Sequence, residues 1–313
     1  MPRPDAHGPH DAPAAHDHAG HDHAHAAALP ELLDLDADVL GAYLPAVTAW
    51  AAEHLGEVRA VLDLGAGTGA GSVALADRFP DASVVALERS PTMLERLAAT
   101  SRAHGLTDRL TVLSADLDED WPDLGPADLV WAASSLHEVT DPTRVLRAVH
   151  DVLRPGGVAV VVELAALPSV LPDDVGRDGL EARCHAALAS AGWNSYPDWT
   201  PALVAAGLEV VEQRRFPVEV GPGHPRAEEY ARAQLRHQRR ALAGTLPAED
   251  LATLDRLLAD DGPDAVLSSG RLRVRGSRIG WLARRPRSGV EPPGRLRTTS
   301  DPIPHPHATP KEH

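Results

Sequence analysis

Hydrophobic positions in this chain follow two rhythms. Between residues 59 and 164 short, unbroken apolar runs recur: RAVLDL (59–64), ASVVALE (82–88), RLTVLSAD (109–116), ADLVWAASSL (127–136) and VAVVVEL (158–164). The segments between them include helix-length amphipathic stretches. One opens on Ser90-Pro91 and stops at Gly105; another opens on Asp141-Pro142 and stops at Pro155-Gly156-Gly157. Unbroken runs belong to strands covered on both faces, and the interleaved helices supply the covers. The pattern predicts a doubly wound α/β fold on a mostly parallel sheet.

The flanks read differently. Ahead of the first strand, Leu32, Leu33, Leu35, Val39, Leu40, Tyr43, Leu44, Val47 and Trp50 recur at helical spacing, predicting one or two helices over 29–56 that act as a lid. Beyond Leu164 come a helical segment around Cys184 and His185, a short helix behind Thr200, and a strand over 208–220. Two helices follow near 225–243 and 247–260, and an alternating closing strand spans 271–285. The main domain is therefore placed at 57–285, with a helical insertion about 222–262. Residues 1–28, with histidines at 7, 10, 16, 18, 21, 23 and 25, and residues 286–313 hold too few apolar positions to offset ordering entropy and are expected to be disordered tails. Imidazoles in such a tail can pick up metal adventitiously, but no core fixes a ligand set, so no metal site is expected.

Composition narrows the function. At 43% hydrophobic the chain can bury a substantial core, and no apolar run reaches the ~20 residues of a membrane span. The amino terminus lacks the basic and apolar regions of a secretory signal, and Cys184 is the single cysteine; both fit a cytoplasmic protein. A net charge of -15 argues against nucleic acid as partner. Lys311 is the only lysine, which removes Walker-type phosphate loops, Schiff bases and Tyr-Lys dehydrogenase pairs.

The candidate chemistry starts at VLDLGAGTGAGS (61–72), where Gly65, Gly67, Gly69 and Gly71 follow a buried strand. Glycines there permit positive φ and let a ligand lie against bare backbone. Gly65, Gly67 and Ala70, with Glu88 about 20 residues on, satisfy a dinucleotide fingerprint and an NAD(P)-dependent oxidoreductase reading. Asp63, Gly65, Gly67 and Gly69 also form D-x-G-x-G-x-G. Together with LERS at Glu88, SADL at Asp116, ASSLHEVTDP and LRPGG, that run resembles the class I S-adenosylmethionine-dependent methyltransferases over residues 58–285. The resemblance implies a Rossmann-like seven-stranded sheet with a C-terminal antiparallel strand, and S-adenosylmethionine as cofactor. It implies that the turn 65–69 wraps the methionine moiety, Asp63 holds its ammonium, Glu88 takes both ribose hydroxyls, Met93 packs near the adenine, Asp116 takes the adenine amino group and Leu117 lines the ring. Electrostatics agrees: an acid at the turn entrance repels pyrophosphate and attracts an amino acid's ammonium.

A methyl acceptor needs positioning first and a base only where its nucleophile is protonated. His137, just past the fourth strand, is the candidate base, and Glu138 is expected to face solvent. Tyr43, Trp193, Tyr196 and Tyr230 are candidate walls of a pocket for a small-molecule acceptor, with Asn194 and Trp199 beside them. Arg232, Arg236, Arg239 and Arg240 form a basic stripe that suits a solvated helix face or a carboxylate or phosphate. A non-catalytic S-adenosylmethionine-binding protein on the same fold shares every one of these features. Acceptor identity, the atom methylated and oligomeric state are left open.

Overall fold

The apolar runs become the strands of one seven-stranded sheet in a computed structural model that describes residues 23–172, 174–192, 197–221, 223–259 and 272–287. The strands are β1 (Ala60–Leu64), β2 (Ser83–Glu88), β3 (Leu110–Ser114), β4 (Ala127–Ala133), β5 (Leu153–Ser169), β6 (Glu209–Val220) and β7 (Val274–Arg284), in the order β3-β2-β1-β4-β5-β7-β6. β1 to β5 run parallel, and β7 inserts antiparallel between β5 and β6. The helices are α1 (His23–Leu40), α2 (Tyr43–Glu53), α3 (Ala70–Arg78), α4 (Pro91–Ala103), α5 (Pro142–Val152), α6 (Leu180–Ser190), α7 (Thr200–Ala205), α8 (Ala227–Ala241) and α9 (Ala248–Leu258).

Strand alternation sorts β5 between two cores. Val158, Val160 and Val162 pack with Val47 and Trp50 of α2, Leu75 of α3 and Leu97 of α4. Ala159 and Val161 pack with Leu146 and Val149 of α5 and Leu203 of α7. Both faces are dry, which is why these strands show no polar alternation. Helix starts follow the predicted caps: the Ser90 hydroxyl accepts from the Met93 N–H at 3.5 Å, and the Asp141 carboxylate accepts from the Arg144 N–H at 3.0 Å.

A third core belongs to the flanks. Leu35, Val39 and Leu40 of α1 meet Leu180, Cys184 and Leu188 of α6, Tyr230 and Leu235 of α8, and Leu254 of α9. Its platform is the overhang of three strands. β5, β6 and β7 run past the rest of the sheet, with Ser169 paired to Arg275 and Val220 to Val274.

Two boundaries and one side-chain placement differ from expectation. α1 begins at His23, inside the stretch expected to be a disordered tail. The alanine-rich approach to Leu29 favours helix, and the buried Leu35, Val39 and Leu40 anchor its other end. β5 spans 153–169 rather than 158–164. Leu153 already pairs with Ala127 before a bulge formed by the Pro-Gly-Gly turn, and β7 prolongs the other end. Trp199, expected beside the acceptor pocket, is 3% exposed and packs in the α5 core. The tails 1–22 and 288–313 lie outside the described residues, as do Trp193, Asn194 and Tyr196.

Candidate active site

β1 delivers the chain into a turn that needs its glycines. Gly65, Gly67 and Gly69 have φ of +66°, +56° and +98°. A Cβ on Gly65 would fall 2.5 Å from that of Ser135, so the turn presses against the segment leaving β4. The Ala66 N–H donates to the Leu87 carbonyl at 2.9 Å, tying the turn to the end of β2.

Glu88 is the staple of this region. Its Oε2 accepts from the Gly67 N–H at 2.9 Å, and its Oε1 accepts from the N–H groups of Arg89 and Ser90 at 2.9 and 2.8 Å. A carboxylate offers about four lone-pair sites, so three are engaged. Binding both ribose hydroxyls, as the resemblance implies, requires one of these amides to yield.

Asp63 sits at the foot of the turn, 2% exposed, where the Ser72 hydroxyl donates to its Oδ2 at 2.6 Å. Burial pushes its pKa up to about 7; the Ser72 bond opposes that rise and the Glu88 charge adds to it. Among the described residues no cation lies within ion-pair distance of it. A Cβ placed on Gly71 would lie 3.5 Å from Asp63 Oδ2 and 3.3 Å from the indole nitrogen of Trp131, which is buried with no hydrogen-bond partner. An uncompensated carboxylate and an idle N–H donor thus underlie a stretch of bare backbone. That donor set fits an amino acid end, whose ammonium would complete Asp63.

The neighbouring strand tips carry the other predicted contacts. Met93 in α4 and Leu117 after β3 are buried, at 6% and 7% exposure. Asp116 Oδ1 accepts from the Asp118 N–H at 3.0 Å, and its Oδ2 lies 3.7 Å from Arg89. Its side chain is half-buried, open enough to receive a further donor.

After β4 the chain turns off the sheet through Ser134, a non-glycine residue at φ +54°, into a 3₁₀ turn over Leu136–Glu138. That strained residue delivers His137 to two carboxylates. Its Nδ1 lies 3.0 and 3.1 Å from the oxygens of Glu163, and its Nε2 lies 3.3 Å from Glu138. Glu163, on β5, is fully buried. Burial works against a charged ring, yet hydrogen bonds to Glu138 and Glu163 outweigh it and lift the His137 pKa to about 10. The predicted base therefore does not titrate near neutrality, and Glu138, expected to point only at solvent, shares in holding it. Glu163 was not singled out from the sequence. Its signal was there: one acid inside VAVVVEL, with no polar alternation to explain it.

Tyr43 and Tyr230 are joined through Arg278 of β7 and Asp36. The Arg278 guanidinium stacks on the Tyr43 ring at 5.0 Å and donates to Asp36 Oδ2 at 2.6 Å, and the Tyr230 hydroxyl donates to Asp36 Oδ1 at 3.1 Å. Burial raises the Tyr43 pKa, with Arg278 opposing, and Asp63 is close enough to add its own push. α1 also reaches the turn: a Cβ on Gly67 would lie 3.9 Å from Leu33, and Asp34 pairs with Arg96 of α4. Asp36 and Arg278 escaped the sequence reading because 242 positions separate them.

A parallel sheet closed by an antiparallel β7, with a glycine turn behind β1 and acids at three adjacent strand tips, defines one of the doubly wound α/β folds whose ligand sites lie at the carboxyl edge of the sheet. The comparisons specify which. A methyltransferase-domain family model matches residues 61–157. Trans-aconitate 2-methyltransferase of Methylobacterium nodulans is 30% identical over 257 residues, 78% of this chain and 93% of that protein. The enzyme of the same name from Methylobacterium radiotolerans is 36% identical over 117 residues, 37% of this chain and 42% of its own length. Malonyl-[acyl-carrier protein] O-methyltransferase of Dechloromonas aromatica is 38% identical over 105 residues, 33% of this chain and 36% of its own. The chain thus spans about two-fifths of these last two relatives and nearly all of the first. It belongs to the class I S-adenosylmethionine-dependent methyltransferases. The dinucleotide reading falls with that membership, and the buried Asp63 gives the physical reason. Among the described residues no helix is long and apolar enough to cross a membrane, and no cluster of His, Cys, Asp and Glu has the make-up of a metal site.

Proposed function

We propose that this protein moves a methyl group from S-adenosylmethionine to a small-molecule acceptor. Asp63 is the observation that carries this reading. A carboxylate 2% exposed, at the foot of a glycine turn and without a cation, is costly unless a ligand supplies the charge. The turn 65–69 would hold the methionine end, Asp63 its ammonium, Glu88 the ribose, and Met93, Asp116 and Leu117 the adenine. The bound cofactor supplies an electrophilic methyl group on a sulfonium. The chain supplies the geometry, since in-line displacement gains most from alignment.

His137 enters this reaction as a cation at neutral pH. With Nδ1 held by buried Glu163, it can orient an acceptor through Nε2 once exposed Glu138 gives up that nitrogen, and it becomes a general base only above about pH 10. Acceptors that ionise unaided, carboxylates above all, suit the site better than neutral alcohols. Trans-aconitate, the compound in the names of two relatives, is of that class.

Calorimetry with S-adenosylhomocysteine tests the cofactor assignment. Saturable binding is expected, weakened about tenfold or more by Asp63→Asn, in line with a charge-assisted hydrogen bond. Binding of NAD(H) in its place would overturn the proposal.

A further inference from the structure

A cavity lies on the side of α1 away from the glycine turn. It encloses about 280 Å³ between α1 and α8, with Leu32 and Leu35 on one wall and Arg232, Arg236 and Arg240 on the other. The three arginines follow at four-residue spacing and so stack along one face of α8. Like charges at that spacing repel. A helix C-terminus welcomes cations only over its last turn, which accounts for Arg239 and Arg240 but not for Arg232 and Arg236.

Nearby arginines show how this acidic protein answers a cation elsewhere. Arg226 is held by Asp38 and Glu229, Arg232 by Glu228, and Arg239 by Asp255. Arg236 and Arg240 meet no carboxylate within ion-pair distance among the described residues. Two acids do line the cavity: Glu229, already bound to Arg226, and Glu31, exposed at the rim.

We propose that this cavity binds a small anion with at least two carboxylate or phosphate groups, gripped by Arg232, Arg236 and Arg240, and that filling it holds α1 over the glycine turn. Guanidinium forks match both kinds of oxyanion, and the apolar wall takes the carbon body. The link runs through α1 itself. Leu32 and Leu35 face the cavity, while Leu33 and Asp34, between them, reach Gly67 and Arg96. This link to the cofactor site rests on the methyltransferase reading; the anion site does not.

The test uses the full chain, with sodium citrate and inorganic pyrophosphate titrated calorimetrically against a chloride control at constant ionic strength. Saturable binding of one probe is expected, and the stronger of the two identifies the oxyanion. Replacing Arg236 and Arg240 by alanine together should weaken it about tenfold or more, and Glu31→Gln should strengthen it. Both arginines are exposed, so the fold should survive the change. Binding no better than chloride, or unchanged in the double variant, overturns the site. S-adenosylhomocysteine should bind about threefold more tightly with the probe present than without it, and equally in the double variant, where the coupling is gone. An unchanged affinity in the parent chain overturns the coupling. No S-adenosylhomocysteine binding under either condition overturns the methyltransferase reading and the coupling with it, while the probe titration still judges the site.

Discussion

The strand-tip region and the cap hold their acids in opposite ways. Around the glycine turn, Glu88 is gripped by backbone N–H groups alone and Asp63 by a hydroxyl nine residues on, while Asp116 accepts from a backbone N–H with Arg89 at 3.7 Å. In the cap, Asp36, Asp38 and Asp250 are gripped by arginines, and Asp250, 1% exposed, is clamped by both Arg177 and Arg183. Backbone donors are fixed by the fold and carry no counter-charge, so the first arrangement leaves negative potential for a cationic ligand. Guanidinium partners cancel the charge and spend it on joining helices remote in sequence. One region is prepared for binding, the other for assembly.

The largest expected effect tests the assembly side. Asp36→Asn leaves Arg278, 4% exposed, with its main counter-charge gone, and should cost about 3 kcal/mol in urea unfolding, the range for breaking a buried pair. A cost under about 1 kcal/mol would show the pair to be dispensable. Asp63→Asn should do the reverse to the fold. A folded pKa near 7 against 3.8 unfolded means that ionising Asp63 costs stability progressively from pH 4 to pH 7. The neutral variant should therefore be more stable than the parent at pH 8, equal to it at pH 3, and poorer at binding S-adenosylhomocysteine.

Glu88→Ala should weaken S-adenosylhomocysteine by about tenfold, some 1.4 kcal/mol, and speed amide exchange at Gly67, whose N–H it holds. Unchanged exchange would mean that the turn stands without its staple. Glu163→Gln addresses the His137 clamp. With the pKa raised to about 10, the clamp's contribution is full below pH 6.5 and fades as pH climbs through 10. The variant should flatten that part of the stability curve and lower the ring's titration midpoint by NMR. Smallest of all, Asp34→Asn breaks a partly exposed pair with Arg96 and should cost less than about 1 kcal/mol, yet loosen α1 in hydrogen exchange.

The same contrast explains what was legible in the sequence. Strands β1, β2 and β4 announced themselves because burial on two faces erases polar alternation, and the glycine turn because only glycine tolerates that backbone so close to Ser135. Asp63, Glu88 and Asp116 were readable because each ends a strand run. The place of His137 after β4 was legible, but its ionisation was not, since that depends on Glu138 beside it and on Glu163, one strand over. Asp36 and Arg278 carried no local mark at all. A side chain's partner across the fold is a tertiary fact, and periodicity reports only which face a residue occupies. The long β5 was missed at both ends for a related reason: a bulge hides the pairing of Leu153, and β7, more than a hundred residues on, sustains the overhang.

That overhang sets how the molecule can change. Because β5, β6 and β7 continue without a break from the sheet into the platform beneath α1, α6, α8 and α9, the helices above can be exchanged, lengthened or repacked while the ladder below keeps its register. The two parts are then separable by inheritance: new helices can be grafted onto the cantilever, and the glycine turn need never move.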